Sequence, residues 1–472
     1  LMIIVGVSHN RVHHMKVCLY FSACGVSQPK NGEPIDEDRL TFPVFTPRIF
    51  FLILLPPVVL EAAYSLYNRA FSYNVCTILL YAVVGTIFNT FTIGPLLYLL
   101  WYTDLMGGSM LELNMIECLV FSALISAVDP VAVLAIFQEV GVNQDLYYLV
   151  FGESLFNDAV TIVLYSTIVT FCEMPQIPGS DYGLAVLSFF TISLGGALVG
   201  TLFGLVTALI TKTTQNVRVV EPLAVLGISY LSYLAAELFH WSGIISITMC
   251  GLVQAHYALK NISQKSNTTV KYFIKMLSST CDSIIFLFLG MVLVHDRHVW
   301  NTAFVLWTLV LCLVCRFCGV YLLTAAANKL RVRKIDLQEQ FIMAYGGLRG
   351  AIAFSLVEML EEETVRQRSM FVTTTLVVIL FTVFVQGSTI KPLVKLLHVS
   401  VASKEKLTMT DELNTNVIGT MMAGIEEITG ARGDYYIRMK LEQIDDALLK
   451  KIFMCKNPEN DLTRFYEKLC LT

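Results

Sequence analysis

Phe151-Gly-Glu-Ser-Leu-Phe-Asn-Asp158 is the stretch that decides how this chain is read. Two carboxylates, a hydroxyl and a carboxamide fall within eight residues, inside an apolar segment that runs from 146 to 172. On a helix Ser154 and Asp158 lie four apart and share a face, and Glu153 and Asn157 form a second such pair. Ionisable groups are costly inside a bilayer and mark functional sites. An oxygen-rich cluster of this kind suits a hard cation. A polar seam between helices is the plainer reading, but a seam alone does not need two acids.

The surrounding composition places that segment in a membrane. The 472 residues are 55% hydrophobic and 15% charged, whereas a soluble domain is about 25% charged. A multi-pass bundle fits better than a soluble multidomain protein; the net charge of −4 says nothing about partners, and no nucleic-acid partner is expected. Scattered cysteines such as Cys312, Cys315 and Cys318 lie in apolar runs and read as small buried hydrophobes. A helix needs roughly 20 apolar residues to cross a bilayer. Eleven segments qualify: 48–67, 75–102, 115–137, 146–172, 182–211, 219–239, 241–259, 277–294 (a short one), 302–328, 340–360 and 370–397. Leu1 to Val7 reads as the end of a further span, followed by a divergent external segment. Arg69, Lys212, Arg218, the lysines between 260 and 275 and the cluster 329–334 fall on one side, with the tail. That side is expected to be cytosolic. The sequons at Asn261 and Asn267 lie there too and are expected to stay unmodified.

Two further spans carry breaks. In Ser126-Ala127-Val128-Asp129-Pro130 the proline disfavours helix at Asp129. Irregular backbone at membrane depth is tolerated where it lines a cavity. A simple proline kink with a capping aspartate is the alternative. Gly346-Gly347-Leu348-Arg349-Gly350 weakens a late span similarly, or is a glycine packing face with an arginine reaching the interface. Interrupted spans in two halves point to an inverted-repeat transporter. Asp129 can offset the positive end of a half-helix, and Arg349 the negative end of another. Arg316 lies mid-span and needs an acid; Glu153 is the expected partner, which leaves Asp158 for ions. Glu61 and Glu237 have no assigned partner.

After residue 398 the composition turns amphipathic. Leu413, Val417, Met421, Ile425 and Ile428 recur at helical spacing, as do Ile437, Leu441, Ile444, Leu448 and Ile452. These helices either pack on each other or present a face to a partner's groove.

Ser126-Ala-Val-Asp-Pro-Val-Ala132, Phe151 to Asp158, Ala344-Tyr-Gly-Gly-Leu-Arg-Gly-Ala351 and Leu54-Leu-Pro-Pro57 together resemble the animal sodium/proton exchangers, solute carrier type 9, from about residue 42 onward. Pro130-Val131-Ala132 is similar to the plasma-membrane and recycling group. The resemblance implies an all-α polytopic membrane protein with an inverted-repeat antiporter fold and two crossed, broken helices. It divides the chain into 1–47, a transmembrane domain over 48–398, and a regulatory tail over 399–472. Within the domain, 75–172 and 302–397 form a mobile core, and 48–67 and 182–294 a dimerisation scaffold. The implied activity is electroneutral exchange of external Na⁺ for internal H⁺ by elevator-like alternating access, regulating cell pH and volume at the plasma membrane, without a cofactor or enzymatic step. Asp158, Asn157, Asp129, Ser154 and Val128 are the implied ion-binding residues, with Na⁺ at Asp158. Glu153, Arg316 and Arg349 compensate charge. Phe50, Phe51, Leu52 and Glu237 resemble an amiloride-type inhibitor pocket. The helix over 410–430 resembles the site for a calcineurin-B-like EF-hand protein, and a homodimer is implied. A K⁺/H⁺ exchanger, a cation channel and a non-transporting membrane scaffold are the other readings.

Overall fold

A computed structural model describes residues 47–106, 113–129, 131–173, 179–214, 220–295, 298–329, 331, 334–361, 364–397, 409–430 and 434–454. The segment 1–46, with its expected span end and external insertion, lies outside the described residues, as do Pro130 and the side chain of Leu413. We number the helices in chain order: α1 Phe50–Leu66, α2 Ala70–Tyr102, α3 Met115–Ile125, α4 Val131–Val140, α5 Gln144–Glu173 and α6 Gly179–Thr213. These are followed by α7 Val220–Leu238, α8 Gly243–Val253, which runs on to 261, and α9 Gln264–His295. The later helices are α10 Thr302–Ala327, α11 Leu337–Tyr345, α12 Ala351–Glu358, α13 Arg368–Leu396, α14 Met409–Thr429 and α15 Asp434–Ile444, which continues to 453.

Six of these are long and apolar enough to cross a membrane: α2, α5, α6, α9, α10 and α13. The span expected over 277–294 is one correction. α9 begins at Gln264 and is 32 residues long. Its first turns carry Lys265, Lys271 and Lys275, which interrupt the hydropathy without interrupting the helix.

The expected spans 115–137 and 340–360 are each two half-helices, α3–α4 and α11–α12. Their breaks meet. Asp129 N donates to Leu348 O at 2.8 Å, so the unwound segments bond to each other through backbone. Close approach there depends on Gly350, where an added Cβ would overlap the Asp129 carboxylate. α2, α5 and α10 surround this crossing.

The second layer is built on α6, which packs along α7 and α8. Gly196, Gly200 and Gly204 recur every four residues on its α8-facing side. A Cβ at Gly196 would stand 2.6 Å from Ser242 O, and one at Gly204 2.7 Å from Val253 Cβ. Small residues at this spacing let helix backbones approach within lipid, where apolar burial gives little drive for association.

Candidate functional site

Three successive carbonyls at the end of α3 are left without helical partners, because the chain unwinds after Ile125. A separate side chain takes each one. Asn157 Nδ2 donates to Ser126 O at 3.2 Å, Arg349 Nη1 to Ala127 O at 3.1 Å, and Ser154 Oγ to Val128 O. At the other lip of the break, Asp129 Oδ1 accepts from Val131 N at 3.0 Å and caps α4. A base therefore sits at the negative end of one half-helix and an acid at the positive end of the next. Arg349 is buried and also places its backbone N 3.2 Å from Thr382 Oγ1.

Arg316 and Glu153 form a buried ion pair, with Nη1 2.5 Å from Oε1. Arg316 Nη2 also reaches Met343 O in the last turn of α11 at 3.4 Å. The pair ties α10, α5 and the second broken span together.

Asp158 is not part of that network. Among the described residues no side chain donates to its carboxylate, and no base pairs with it. It faces a cavity of about 700 Å³. Gln144, Tyr147, Phe151, Ser154 and Asp158 line the cavity as one stripe along α5. Asp158 lies 14 residues into α5, about 21 Å from its start. The stripe starts at the end of the bundle that carries Lys275 and Ser65, which also line the cavity. Asp129 and Ser154 line the same cavity as Asp158.

The other expected site residues occupy several distinct places. Asn157 is buried and does not line the cavity. Its Oδ1 accepts from Thr86 Oγ1 at 2.9 Å and Thr161 Oγ1 at 3.0 Å, while its Nδ2 holds Ser126 O. It is a strut between α5, α2 and the break, because one helical step turns it about 100° away from Asp158. The carbonyl of Val128 is taken up by Ser154. Of the four residues expected around an inhibitor, only Phe50 lines the cavity. Phe51 O and Leu52 O accept from Tyr233 and Tyr230 at 2.9 and 3.1 Å, and Leu52 and Glu237 are exposed. α1 starts and α7 ends there, at the opposite end of the bundle from Lys275.

Asp282 is a residue that the sequence reading passed over. It lies within the span expected at 277–294, in Cys281-Asp282-Ser283, and lines the cavity with Glu61. A lone acid just before the apolar run Ile284 to Leu289 was the available signal.

An unpaired acid lining a cavity beside two crossed, broken helices fits the antiporter fold that the resemblance implies. The comparisons bear on the family and the fold. The family model for the transmembrane sodium/hydrogen exchanger matches residues 17–396. The match begins inside the stretch before residue 42, where no resemblance was expected. The chain is 44% identical over 433 residues to sodium/hydrogen exchanger 2 of Oryctolagus cuniculus, covering 92% of this chain and 53% of that protein. It is 45% identical over 430 residues to sodium/hydrogen exchanger 3 of Mus musculus, covering 90% and 52%. The fold is similar to that of the sodium proton antiporter MjNhaP1 from Methanocaldococcus jannaschii at pH 8. There the TM-score is 0.59 at 19% identity, over 74% of this chain and 86% of that one. The chain belongs to the sodium/hydrogen exchanger family. It spans about half the length of the curated relatives it matches.

Proposed function

We propose that this chain exchanges Na⁺ for H⁺ across a membrane, one for one, with Asp158 as the site both ions share. The observation that carries this reading is the contrast between two carboxylates five residues apart. Glu153 is neutralised by Arg316, while Asp158 stands unpaired in the cavity wall. Asp129 and Ser154 add oxygens beside it, and Asn157 and Arg349 hold the unwound segment in register. An empty Asp158 would carry a bare charge through low dielectric when the core moves, which is costly. Only the ion-loaded or protonated core crosses easily, and that couples the two fluxes. A tenfold Na⁺ gradient supplies about 1.4 kcal/mol per ion, sufficient to drive protons against roughly one pH unit.

The cavity reaches Asp158 from the Lys-rich end, which loop charge places in the cytosol, so this is an inward-open arrangement. In the same reading α2–α5 and α10–α13 move against a scaffold of α1 and α6–α9, in a homodimer at the plasma membrane. The tail supports a partner. Val417, Met421, Ile425 and Ile428 on α14 are exposed, and so are Ile437, Leu441, Ile444, Leu448 and Ile452. The two rows do not bury each other, which favours the groove of a calcineurin-B-like EF-hand protein over mutual packing. External amiloride-type inhibitors belong at the Phe51, Leu52 and Glu237 end. Reconstituted chains carrying Asp158→Asn should lose Na⁺-dependent pH recovery while remaining in the membrane; normal exchange in that variant rejects the assignment.

A further inference from the structure

α1 has two faces. Val58, Glu61, Ala62 and Ser65 recur at helical spacing and line the cavity. Leu60, Ala63 and Tyr64 are two residues out of step with that row, about 200° round the helix. They turn to α8, where a Cβ added to Gly251 would stand 2.8 Å from Ala63 Cβ and 3.1 Å from Leu60 Cδ1. Three residues further along α8, Gln254 Oε1 accepts from Tyr64 Oη at 2.6 Å.

Gln254 is fully buried within the expected span 241–259, where an unbonded amide would be costly. All four of its hydrogen-bonding positions are taken. It opens the π turn 254–258 that continues α8, and such turns are frequent at functional sites. Its Nε2 donates to Thr207 Oγ1 on α6 at 2.9 Å and to Val225 O on α7 at 3.3 Å. Those neighbours fix which way the amide points: a carbonyl only accepts, and the Thr207 hydroxyl hydrogen is committed to Phe203 O at 2.8 Å. Oε1 therefore faces Tyr64 and Ser229 Oγ. The serine oxygen lies 2.8 Å away and shares its hydrogen with Val225 O at 2.6 Å. One side-chain amide thus joins α1 to α6, α7 and α8.

We propose that Gln254 is a positioning residue for exchange: it sets the rotation of α1, and with it the aim of the Glu61 carboxylate into the ion route. This rests on the exchange reading above and adds a scaffold residue that reaches the ion only through α1. Glu61 lies one turn before Tyr64 and is held from within its own helix, since its Oε1 accepts from Ser65 Oγ at 2.9 Å. Its direction therefore follows the rotation of α1. With Asp282 of α9, Glu61 lines the cavity through which a cation reaches Asp158. Acids lining a cleft with low-dielectric walls raise the local cation concentration. The Gly251 contact limits how near α1 comes to α8 but has no direction. The Tyr64 hydrogen bond is directional, so it is the contact that fixes rotation.

Gln254→Leu combined with Tyr64→Phe removes both partners of the bond. No hydroxyl is left unpaired, because Thr207 keeps Phe203 O and Ser229 keeps Val225 O, and replacing both partners by apolar groups is nearly neutral for stability. The full chain carrying both changes should melt with the wild type. In oriented proteoliposomes the KM for Na⁺ presented on the cytosolic side should rise about fivefold, with the maximal rate kept. Glu61→Gln should raise KM alike, and adding the paired change to Glu61→Gln should alter nothing further, because both act through one carboxylate. Hydrogen–deuterium exchange over residues 55–66 should be about tenfold faster in the paired variant. An unchanged KM, or effects of Glu61→Gln and the paired change that simply add, overturns the positioning role. A lower melt with a reduced maximal rate at unchanged KM makes the amide a purely structural tie and overturns it as well. If the unsubstituted chain exchanges no ions while hydrogen exchange over 55–66 still responds, the exchange reading fails and the anchoring of α1 stands.

Discussion

Glu153→Gln isolates the ion pair from every other feature of the site. The change keeps the side chain's shape and removes its charge, leaving Arg316 buried beside a neutral amide. At 2.5 Å the direct attraction in the native pair is about 7 kcal/mol at an effective dielectric of 20. Desolvation of both groups cancels much of that, and deleting one partner of a buried pair costs about 3–5 kcal/mol net. Arg316 cannot recover the loss locally: among the described residues its other hydrogen bond is to Met343 O at 3.4 Å, and its Nε has none. For a chain this long the melting temperature shifts by about 1–2 °C per kcal/mol, extrapolating from smaller proteins, so a drop of about 3–10 °C is expected in detergent. The double change Glu153→Leu with Arg316→Met should recover most of it, because no charge is then left uncompensated. Static light scattering during a thermal ramp reads both. A Glu153→Gln protein that melts with the wild type, or a double variant no better than the single, refutes the reasoning.

Other outcomes follow from particular contacts. Ser154→Ala leaves the buried Val128 carbonyl without its donor, at a cost of about 1–3 kcal/mol. The apparent affinity for Na⁺ should fall, Ser154→Thr should restore it, and ²²Na⁺ uptake against concentration measures both. Gly350→Ala places a methyl on the Asp129 carboxylate and should cost about 1–3 kcal/mol as overpacking. A thermal melt equal to that of the wild type contradicts the crossing geometry. Paired Met421→Glu and Ile425→Glu changes charge an exposed row. They should abolish co-purification of a calcineurin-B-like protein and leave the melt of the isolated chain unaltered.

What could be read from the sequence was whatever the bilayer makes costly. An arginine in mid-span demands an acid, and the structure sets Glu153 against Arg316. A proline after Asp129 and glycines around Arg349 announce two breaks, and the chain unwinds at both. Asn157 was harder. Its position next to Asp158 suggests a shared ligand, but adjacent residues on a helix face different neighbours, and only the packing of α2 shows Thr86 waiting for it. The length of α9 was hidden because lysines lower hydropathy without breaking a helix. Docking of the tail through Lys212, Asn261 and His256 brings together residues about 190 to 240 positions apart. Periodicity within one helix carries no trace of it. The exposed face of the same helix was legible, since it depends on local spacing alone.

Competition between Na⁺ and H⁺ for the Asp158 carboxylate underlies the proposed exchange. Proton release into a weakly buffered, dye-containing solution when Na⁺ is added to the purified chain tests it most directly. About one proton per chain is expected, saturating with Na⁺ and absent in Asp158→Asn. Sodium binding without proton release, or equal release from Asp158→Asn, would contradict it.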